Sequence, residues 1–157
     1  MRAFRSKADF KLQAGFQAHH VLPVAVFSGC AFGQAFALLR ADGFDPRSFK
    51  INGLLLPGTE DGARRSGRPL HRGPHRRYNG IVSDRVSVII CEMNRCQQSH
   101  AARIDAIQRL GILIAALRQC LSGNHSWIYL NSRDPLHSKA AFGDLDGAVD
   151  ILWLATK

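Results

Sequence analysis

The chain has 157 residues, 46% of them hydrophobic, which is enough for one domain with a buried core. No apolar stretch approaches the roughly 18 residues of a membrane-spanning helix, and the basic N-terminus lacks a signal peptide's apolar segment, so we expect a soluble protein without a membrane partner. The formal net charge of +9 favours polyanionic partners.

The first half of the chain predicts two short strands with a helix between them. In chain order these are a strand over residues 16–24 that ends at Pro23, a helix over residues 28–41 and a second strand over residues 49–57. The helix is closed by Asp42-Gly43, and the second strand has a tight turn or bend at Asn52-Gly53. Residues 58–70 are rich in Gly, Arg and Ser, which predicts a loop.

The second half predicts two long helices. The first begins close to Pro74, because proline is tolerated in a helix only within the first turn. Its buried stripe recurs every three or four residues and consists of Tyr78, Val82, Val86, Ile89 and Met93. The second helix covers residues 100–121, with a buried stripe of Ile104, Ile107, Gly111, Ile114, Leu117 and Leu121. The later segment SWIYL is compatible with a strand or a buried extended segment, and AVDILWL with a last short helix or a strand.

The four cysteines do not form CxxC pairs. They are Cys30, Cys91, Cys96 and Cys120. We expect all four to be reduced thiols that are mostly buried, with a disulfide as the less favoured alternative.

Four of the seven histidines occur in a pattern that suits a metal site. His19 and His20 are adjacent on the first predicted strand, where neighbouring side chains point to opposite sides. One ring of this pair can therefore bind an ion while the other faces a substrate. His71 and His75 are spaced as HxxxH, so both can point at the same ion from the start of a helix.

Three imidazoles are enough for a catalytic ion that keeps an open position for water or a phosphate oxygen. Imidazole ligation favours zinc or nickel and does not exclude magnesium or manganese. The remaining histidine can accept a proton from water. The zinc-protease pattern HExxH is absent, and no cysteine lies near the histidines in the sequence to form a structural zinc site.

An arginine-rich run surrounds the HxxxH spacing. Six arginines occur within the fourteen residues 64–77, RRSGRPLHRGPHRR. A solvated loop would also have such a composition, but its position beside two histidines favours contacts with phosphates. The candidates for these contacts are Arg65, Arg68, Arg72, Arg76 and Arg77.

The segments AHHVLP, FDPRSFKINGLLLP and HRGPHRRYN, in this order, resemble the AHH family of nucleases in the HNH/endonuclease VII superfamily. The resemblance covers about residues 14–88 and implies an α+β fold with a ββα-metal core and additional packing helices. We expect a single nuclease domain over residues 1–157. Its core motifs would lie in about residues 14–95 and a C-terminal helical cap in about residues 96–157.

The resemblance also implies roles for individual residues. His19, His71 and His75 would hold one divalent ion, which could be Zn, Mg, Mn or Ni. His20 would be the general base, and Asn52 would occupy the middle position of the HNH triad. We expect the side-chain carbonyl oxygen of Asn52 to orient the His20 ring. The implied reaction is metal-dependent hydrolysis of phosphodiester bonds, with DNA favoured over RNA and little sequence specificity.

The resembled family is often found as toxin domains of bacterial effectors, including type VI secretion effectors. The resemblance therefore implies a toxin that is made in the bacterial cytoplasm, delivered into a target cell without a cleaved signal peptide and neutralised by an acidic immunity protein. Two alternatives remain open. One is an RNA-cleaving toxin on the same scaffold, and the other is a metal-stabilised nucleic-acid-binding module without catalysis. The basic face could also dock an acidic protein partner.

Overall fold

A computed structural model describes residues 15–122, 129–130 and 134–136 of the chain. The elements in chain order are β1 (Phe16–His20), α1 (Val24–Ser28), α2 (Gly33–Ala41), α3 (Phe49–Asn52), β2 (Gly53–Pro57), α4 (Glu60–Ser66), α5 (Arg76–Arg95) and α6 (His100–Ser122). The strands pair antiparallel, with Phe16 opposite Pro57 and His20 opposite Gly53. A small sheet combined with helices confirms the predicted α+β class.

The long helix α5 connects the sheet to the hydrophobic core. It begins next to Pro74, as predicted, with His75 as its N-cap residue. The five residues of its predicted stripe are all buried, which confirms that pattern. The Tyr78 hydroxyl donates a 2.6 Å hydrogen bond to the carbonyl of Val21, so the first turn of α5 is fastened to the chain that leaves β1.

Helix α6 packs against α5, but its predicted stripe is only partly correct. Ile104 and Ile107 are half-buried and Gly111 is exposed. The buried face consists of Ala106, Leu110, Leu113, Ile114, Ala116, Leu117, Cys120 and Leu121. The middle of this helix, GILIAAL, is apolar on almost every side, so its periodicity did not identify one face.

The predicted loop over residues 58–70 is wrong, because helix α4 lies within it. The Thr59 hydroxyl accepts a 3.1 Å hydrogen bond from the amide of Gly62 and caps the start of the helix. Gly67, at φ 64°, ends the helix in the left-handed conformation that favours glycine. The small and polar residues that predicted a loop are therefore the start and stop signals of a short helix.

Three other boundaries in the first half differ from the prediction. Strand β1 ends at His20, before Pro23. The predicted helix over residues 28–41 begins only at Gly33 as α2, and the short helix α1 precedes it. The second strand begins only at Gly53, because the preceding residues form the single helical turn α3. Four residues are too few to show a helical period.

Gly53 does not form the predicted tight turn. Its backbone is extended, with φ −97° and ψ 150°. A Cβ atom at this position would collide with the Phe49 ring. Glycine is needed here for close packing and not for a positive φ.

All four cysteines are free, as predicted, but the prediction that most are buried is wrong. Only Cys120 is buried, and the other three lie on exposed helix or loop positions. Of the late segment SWIYL, the structure describes Tyr129 and Leu130, which are buried, while AVDILWL lies outside the described residues. No helix in the described ranges has the length and apolar character needed to cross a membrane.

Candidate metal centre

Three histidine side chains converge beside strand β1. His19 lies near the end of this strand, His71 in the loop after α4, and His75 at the start of α5. The centroid of the His19 ring is 5.0 Å from that of His71 and 5.6 Å from that of His75, and the latter two centroids are 5.0 Å apart. One possible ligand nitrogen from each ring lies within 4.8 Å of the others. We call these three residues the histidine triad.

His71 is held at both its backbone and its ring. Its amide donates a 2.7 Å hydrogen bond to the carbonyl of Pro57 at the end of β2. Its Nδ1 atom is 3.0 Å from Oε1 of Gln17, which accepts the hydrogen bond when Nδ1 carries the proton. Gln17 lies two residues before His19 in β1 and therefore on the same face of the strand. The sequence analysis missed Gln17, although this i−2 spacing from His19 was the available signal.

The orientation of His75 follows from its position as the N-cap residue of α5. Tyr78 and Val82, in the first two turns of α5, are both buried. The Tyr78 ring also packs against His19, with 5.5 Å between the ring centroids. Helix α5 thus positions His75 and supports the His19 ring at the same time.

The nitrogen atoms of the triad fit a divalent cation. Nε2 of His19 and Nδ1 of His75 are buried and have no hydrogen-bond partner among the described residues. Because Nδ1 of His71 pairs with Gln17, its Nε2 atom remains for a ligand. Buried polar atoms without partners are rare in proteins and require an explanation. Three imidazole ligands with an open fourth position are typical of a catalytic zinc site, and other imidazole-binding ions such as nickel also suit this donor set.

The triad is neutral at physiological pH. Burial, followed by the neighbouring charges of His71, His75 and His20 in that order, lowers the pKa of His19 to about 3. Burial, followed by the charge of His75, lowers the pKa of His71 to about 4. The pKa of His75 is lowered mainly by burial, against which a hydrogen bond to the backbone of Leu130 acts. All three rings therefore keep a lone pair available at pH 7.

His20 occupies the opposite face of β1 from the triad. It is half-buried, with its ring centroid 6.3 Å from that of Phe27 and 6.4 Å from that of Phe49. The alternation of side chains along a strand separates it from His19, as the sequence analysis expected. His20 is not among the residues that line the cleft beside the triad, and its predicted position facing a substrate stays a prediction.

The buried side chain of Asn52 does not orient the His20 ring in the predicted way. Its Oδ1 atom accepts a 2.6 Å hydrogen bond from the amide of Leu22, and its Nδ2 atom donates 2.9 Å bonds to the carbonyls of Leu22 and Pro46. None of the hydrogen bonds of the Asn52 side chain among the described residues involves His20, so the predicted acceptor role of this oxygen toward His20 is wrong. Asn52 instead joins the segment that follows His20 to the loop before α3.

The model of a known protein family matches residues 1–114 of the chain. It describes AHH, a nuclease family of the HNH/ENDO VII superfamily with conserved AHH. The chain belongs to the AHH nuclease family. No curated protein and no solved structure matches the chain.

Within the AHH family match, the conserved motif is Ala18-His19-His20. The matched region also contains Asn52 and the other two histidines of the triad, and it ends inside α6. Family membership makes the protein a nuclease and nucleic acid its class of substrate.

A cleft of about 630 Å³ opens beside the triad of this AHH nuclease. Its lining consists of Gln17, Gly58, Thr59, Glu60, His71, Arg72, Gly73 and His75. Arg72 is the one member of the predicted arginine set that lines it.

The other four predicted arginines lie away from the cleft lining. Arg68 is half-buried and donates a 3.3 Å hydrogen bond to the carbonyl of Leu55 in β2. Arg65 is exposed on α4, and Arg76 and Arg77 are exposed on the first turn of α5. These four side chains are not among the residues that line the cleft, and their contacts with phosphates stay a prediction.

Proposed function

We propose that this AHH nuclease is a metal-dependent endonuclease that hydrolyses phosphodiester bonds in DNA. The convergence of His19, His71 and His75 carries the proposal, because two of their nitrogen atoms are buried without a partner. A triad of neutral imidazoles with one open side is suited to an ion that must also accept a substrate oxygen.

The proposed roles divide the AHH motif into a ligand and a base. A divalent ion bound by the triad would polarise a non-bridging phosphate oxygen and stabilise the leaving 3′-oxygen. His20 takes a proton from the water whose oxygen attacks phosphorus, while the bond from phosphorus to the 3′-oxygen breaks. A ring that bound the ion could not also use that lone pair for the proton, so the base must lie outside the triad.

Asn52 serves this reaction as a positioning residue for His20. Its side chain holds both the amide and the carbonyl of Leu22, and its backbone carbonyl accepts a 2.8 Å hydrogen bond from the amide of Val21. The two residues that follow His20 are therefore fixed relative to α3. This constraint determines where the end of β1 presents the His20 ring.

The basic charge of the protein supports a polyanionic substrate. Arg72 lies in the same cleft as His71 and His75, which makes it the first candidate for a phosphate contact near the scissile bond. The exposed residues Arg76 and Arg77 extend positive charge along the start of α5. Arginine contacts with phosphates carry no base information, so we propose cleavage with little sequence specificity.

We also propose a biological role as a toxin of a bacterial effector, with an acidic immunity protein as its inhibitor. The net charge of +9 supports this pairing, because an acidic protein that covered the basic surface would both bind tightly and block access of nucleic acid.

A nicking assay on supercoiled plasmid tests the proposed activity. The protein is stripped with EDTA and supplied in turn with Mg²⁺, Mn²⁺, Ni²⁺ or Zn²⁺, and duplex DNA and tRNA are offered side by side. We expect cleavage of DNA that requires an added ion and declines steeply between about 50 and 200 mM salt.

Other outcomes of this assay would support a different function. Preferential cleavage of tRNA would make the protein an RNA-cleaving toxin. Binding of nucleic acid without cleavage under any ion would favour the non-catalytic module. Cleavage that stays constant over the same range of salt would show that the arginines do not contact the nucleic acid.

A further inference from the structure

Two described residues beyond α6, Leu130 and Asp134, contact the part of the chain that carries His71 and His75. Leu130 is buried, and its backbone forms a hydrogen bond with the His75 ring. The carboxylate of Asp134 is only 5% exposed, and its Oδ2 atom accepts a 2.6 Å hydrogen bond from the amide of Leu70, 64 residues earlier. Both contacts come from beyond residue 114, where the family match ends.

The Asp134 carboxylate has a second partner that keeps it oriented. Its Oδ1 atom accepts a 2.9 Å hydrogen bond from the amide of Leu136, which closes a local turn. Oδ1 therefore closes the local turn, and Oδ2 accepts the hydrogen bond from the distant amide of Leu70. Hydrogen bonds from amides to a carboxylate are stronger than those between neutral groups, and burial makes their loss more costly.

Two successive backbone amides in the loop over residues 70–75, those of Leu70 and His71, each donate a hydrogen bond to a different part of the chain. The amide of Leu70 donates to Asp134, and the next amide, that of His71, donates to the carbonyl of Pro57 in β2. The Leu70 side chain is itself buried. The amide of His71 lies in the same peptide plane as the Cα atom of His71, and the amide of Leu70 lies in the plane before it. These two bonds therefore fix the position of the His71 Cα atom relative to β1 and His19.

We propose that Asp134 is a positioning residue for the histidine triad, and that residues 129–130 and 134–136 complete a metal centre that the family-matched region supplies only in part. This inference rests on the proposed function, because it treats the triad as the ligand set of an ion. Asp134 does not contact the ion. It acts through the Leu70 amide and sets the distance between His71 and the other two rings.

The full chain carrying Asp134→Asn tests this role. Asparagine keeps the size of the side chain but offers an NH₂ group in place of one acceptor, so one of the two amides faces a donor. A second variant, Asp134→Ser, retains a hydroxyl that can accept from the Leu136 amide and loses the reach to Leu70. The matched control is Asp45→Asn, since Oδ1 of Asp45 likewise accepts a 3.0 Å hydrogen bond from an amide two residues later, that of Arg47.

The measurements are Co²⁺ affinity by competition with a chromophoric chelator, the visible spectrum of the bound Co²⁺, and the melting temperature of the metal-free protein. We expect both Asp134 variants to bind Co²⁺ about 10-fold more weakly than the wild type, with an altered spectrum. The melting curve shows that each variant is folded, and Asp45→Asn should match the wild type in affinity and spectrum.

Wild-type affinity and spectrum in both Asp134 variants would overturn the inference and leave the proposed function intact. An equal loss of affinity in Asp45→Asn would also overturn it, because the effect would then be general. If the wild-type protein bound no Co²⁺ at all, the proposed metal-dependent activity itself would fail.

Discussion

The two faces of strand β1 place adjacent histidines in different surroundings. On one face His19 is 5% exposed and lies against two other histidines and Tyr78, with an unpartnered Nε2 atom. On the other face His20 is half-buried between two phenylalanine rings. Identical side chains one residue apart thus differ in partners because a strand directs them to opposite sides. Strand geometry alone thus separates the proposed ligand of the AHH motif from the proposed base.

Each face also has its own supporting residues. Gln17 and the loop over residues 70–75 support the His19 face, whereas Asn52 holds the backbone that continues from His20. Substitutions on one face should therefore change ion binding, and substitutions on the other should change the rate without changing ion binding.

The largest effect is expected from removing a ligand on the His19 face. The His75→Ala variant leaves two imidazoles, which cannot retain a catalytic ion in competition with solvent. We expect loss of bound metal and a fall in cleavage of at least about 10³-fold, since the ion contributes several kcal/mol to the transition state. Metal content and plasmid nicking measure both effects. The control is His100→Ala, an exposed histidine on α6. Full metal content in His75→Ala would contradict the assignment of the triad.

On the other face, His20→Ala should reduce the rate while the ion stays bound. General-base catalysis contributes about 10²–10⁴-fold, and we expect a loss within that range. Single-turnover cleavage and metal content are measured on the same preparation. If the ion were lost with His20, the two histidines of the motif would have exchanged roles. An unchanged rate would show that His20 only packs against Phe27 and Phe49.

The Gln17→Leu variant tests whether the hydrogen bond between Gln17 and His71, on the His19 face, contributes to ion binding. Leucine fills a similar volume but cannot accept the hydrogen bond at Nδ1 of His71, so the ring loses its fixed tautomer. We expect metal affinity to fall by about 10–100-fold. Isothermal titration with Zn²⁺ measures the change, and Gln108→Leu, at an exposed position on α6, is the matched control. Equal affinities for the two variants would show that the bond does not position His71.

The smallest effect concerns the stability of the metal-free protein at acidic pH. Burial lowers the pKa of His19 to about 3, against about 6.5 in an unfolded chain, so the unfolded state binds more protons between these values. Stability therefore falls as the pH drops below about 6.5, by about 1.4 kcal/mol per pH unit for this residue.

Melting temperatures of EDTA-treated protein at pH 7.5, 6 and 5 measure this loss, and His71 should add to it, because its pKa is also lowered, to about 4. A His19→Gln variant, which has no titrating ring at this position, should show a weaker dependence on pH. A melting temperature that stays constant down to pH 5 would mean that the His19 ring is not buried in solution.

Much of the candidate site was visible in the sequence because it is encoded in local spacing. The HH pair and the HxxxH spacing reduced the candidate ligands to four histidines, and the resemblance to the AHH family implied that His19 is the ligand of the pair. The Pro74 boundary with its apolar stripe located helix α5. These features depend on strand alternation and helical periodicity, which are properties of short stretches of backbone.

Only the tertiary structure decided which groups form hydrogen bonds with the site residues and which side chains line the cleft. The Oδ1 atom of Asn52 accepts from the amide of Leu22 and not from His20, and of the predicted arginines only Arg72 reaches the cleft. Asp134 meets the amide of Leu70 across 64 residues of sequence. Hydrogen bonds of this kind depend on where folding places distant backbone groups. Sequence periodicity does not indicate where those groups lie. The sequence motifs therefore indicate the candidate ligands, and the tertiary structure determines which groups hold them in place.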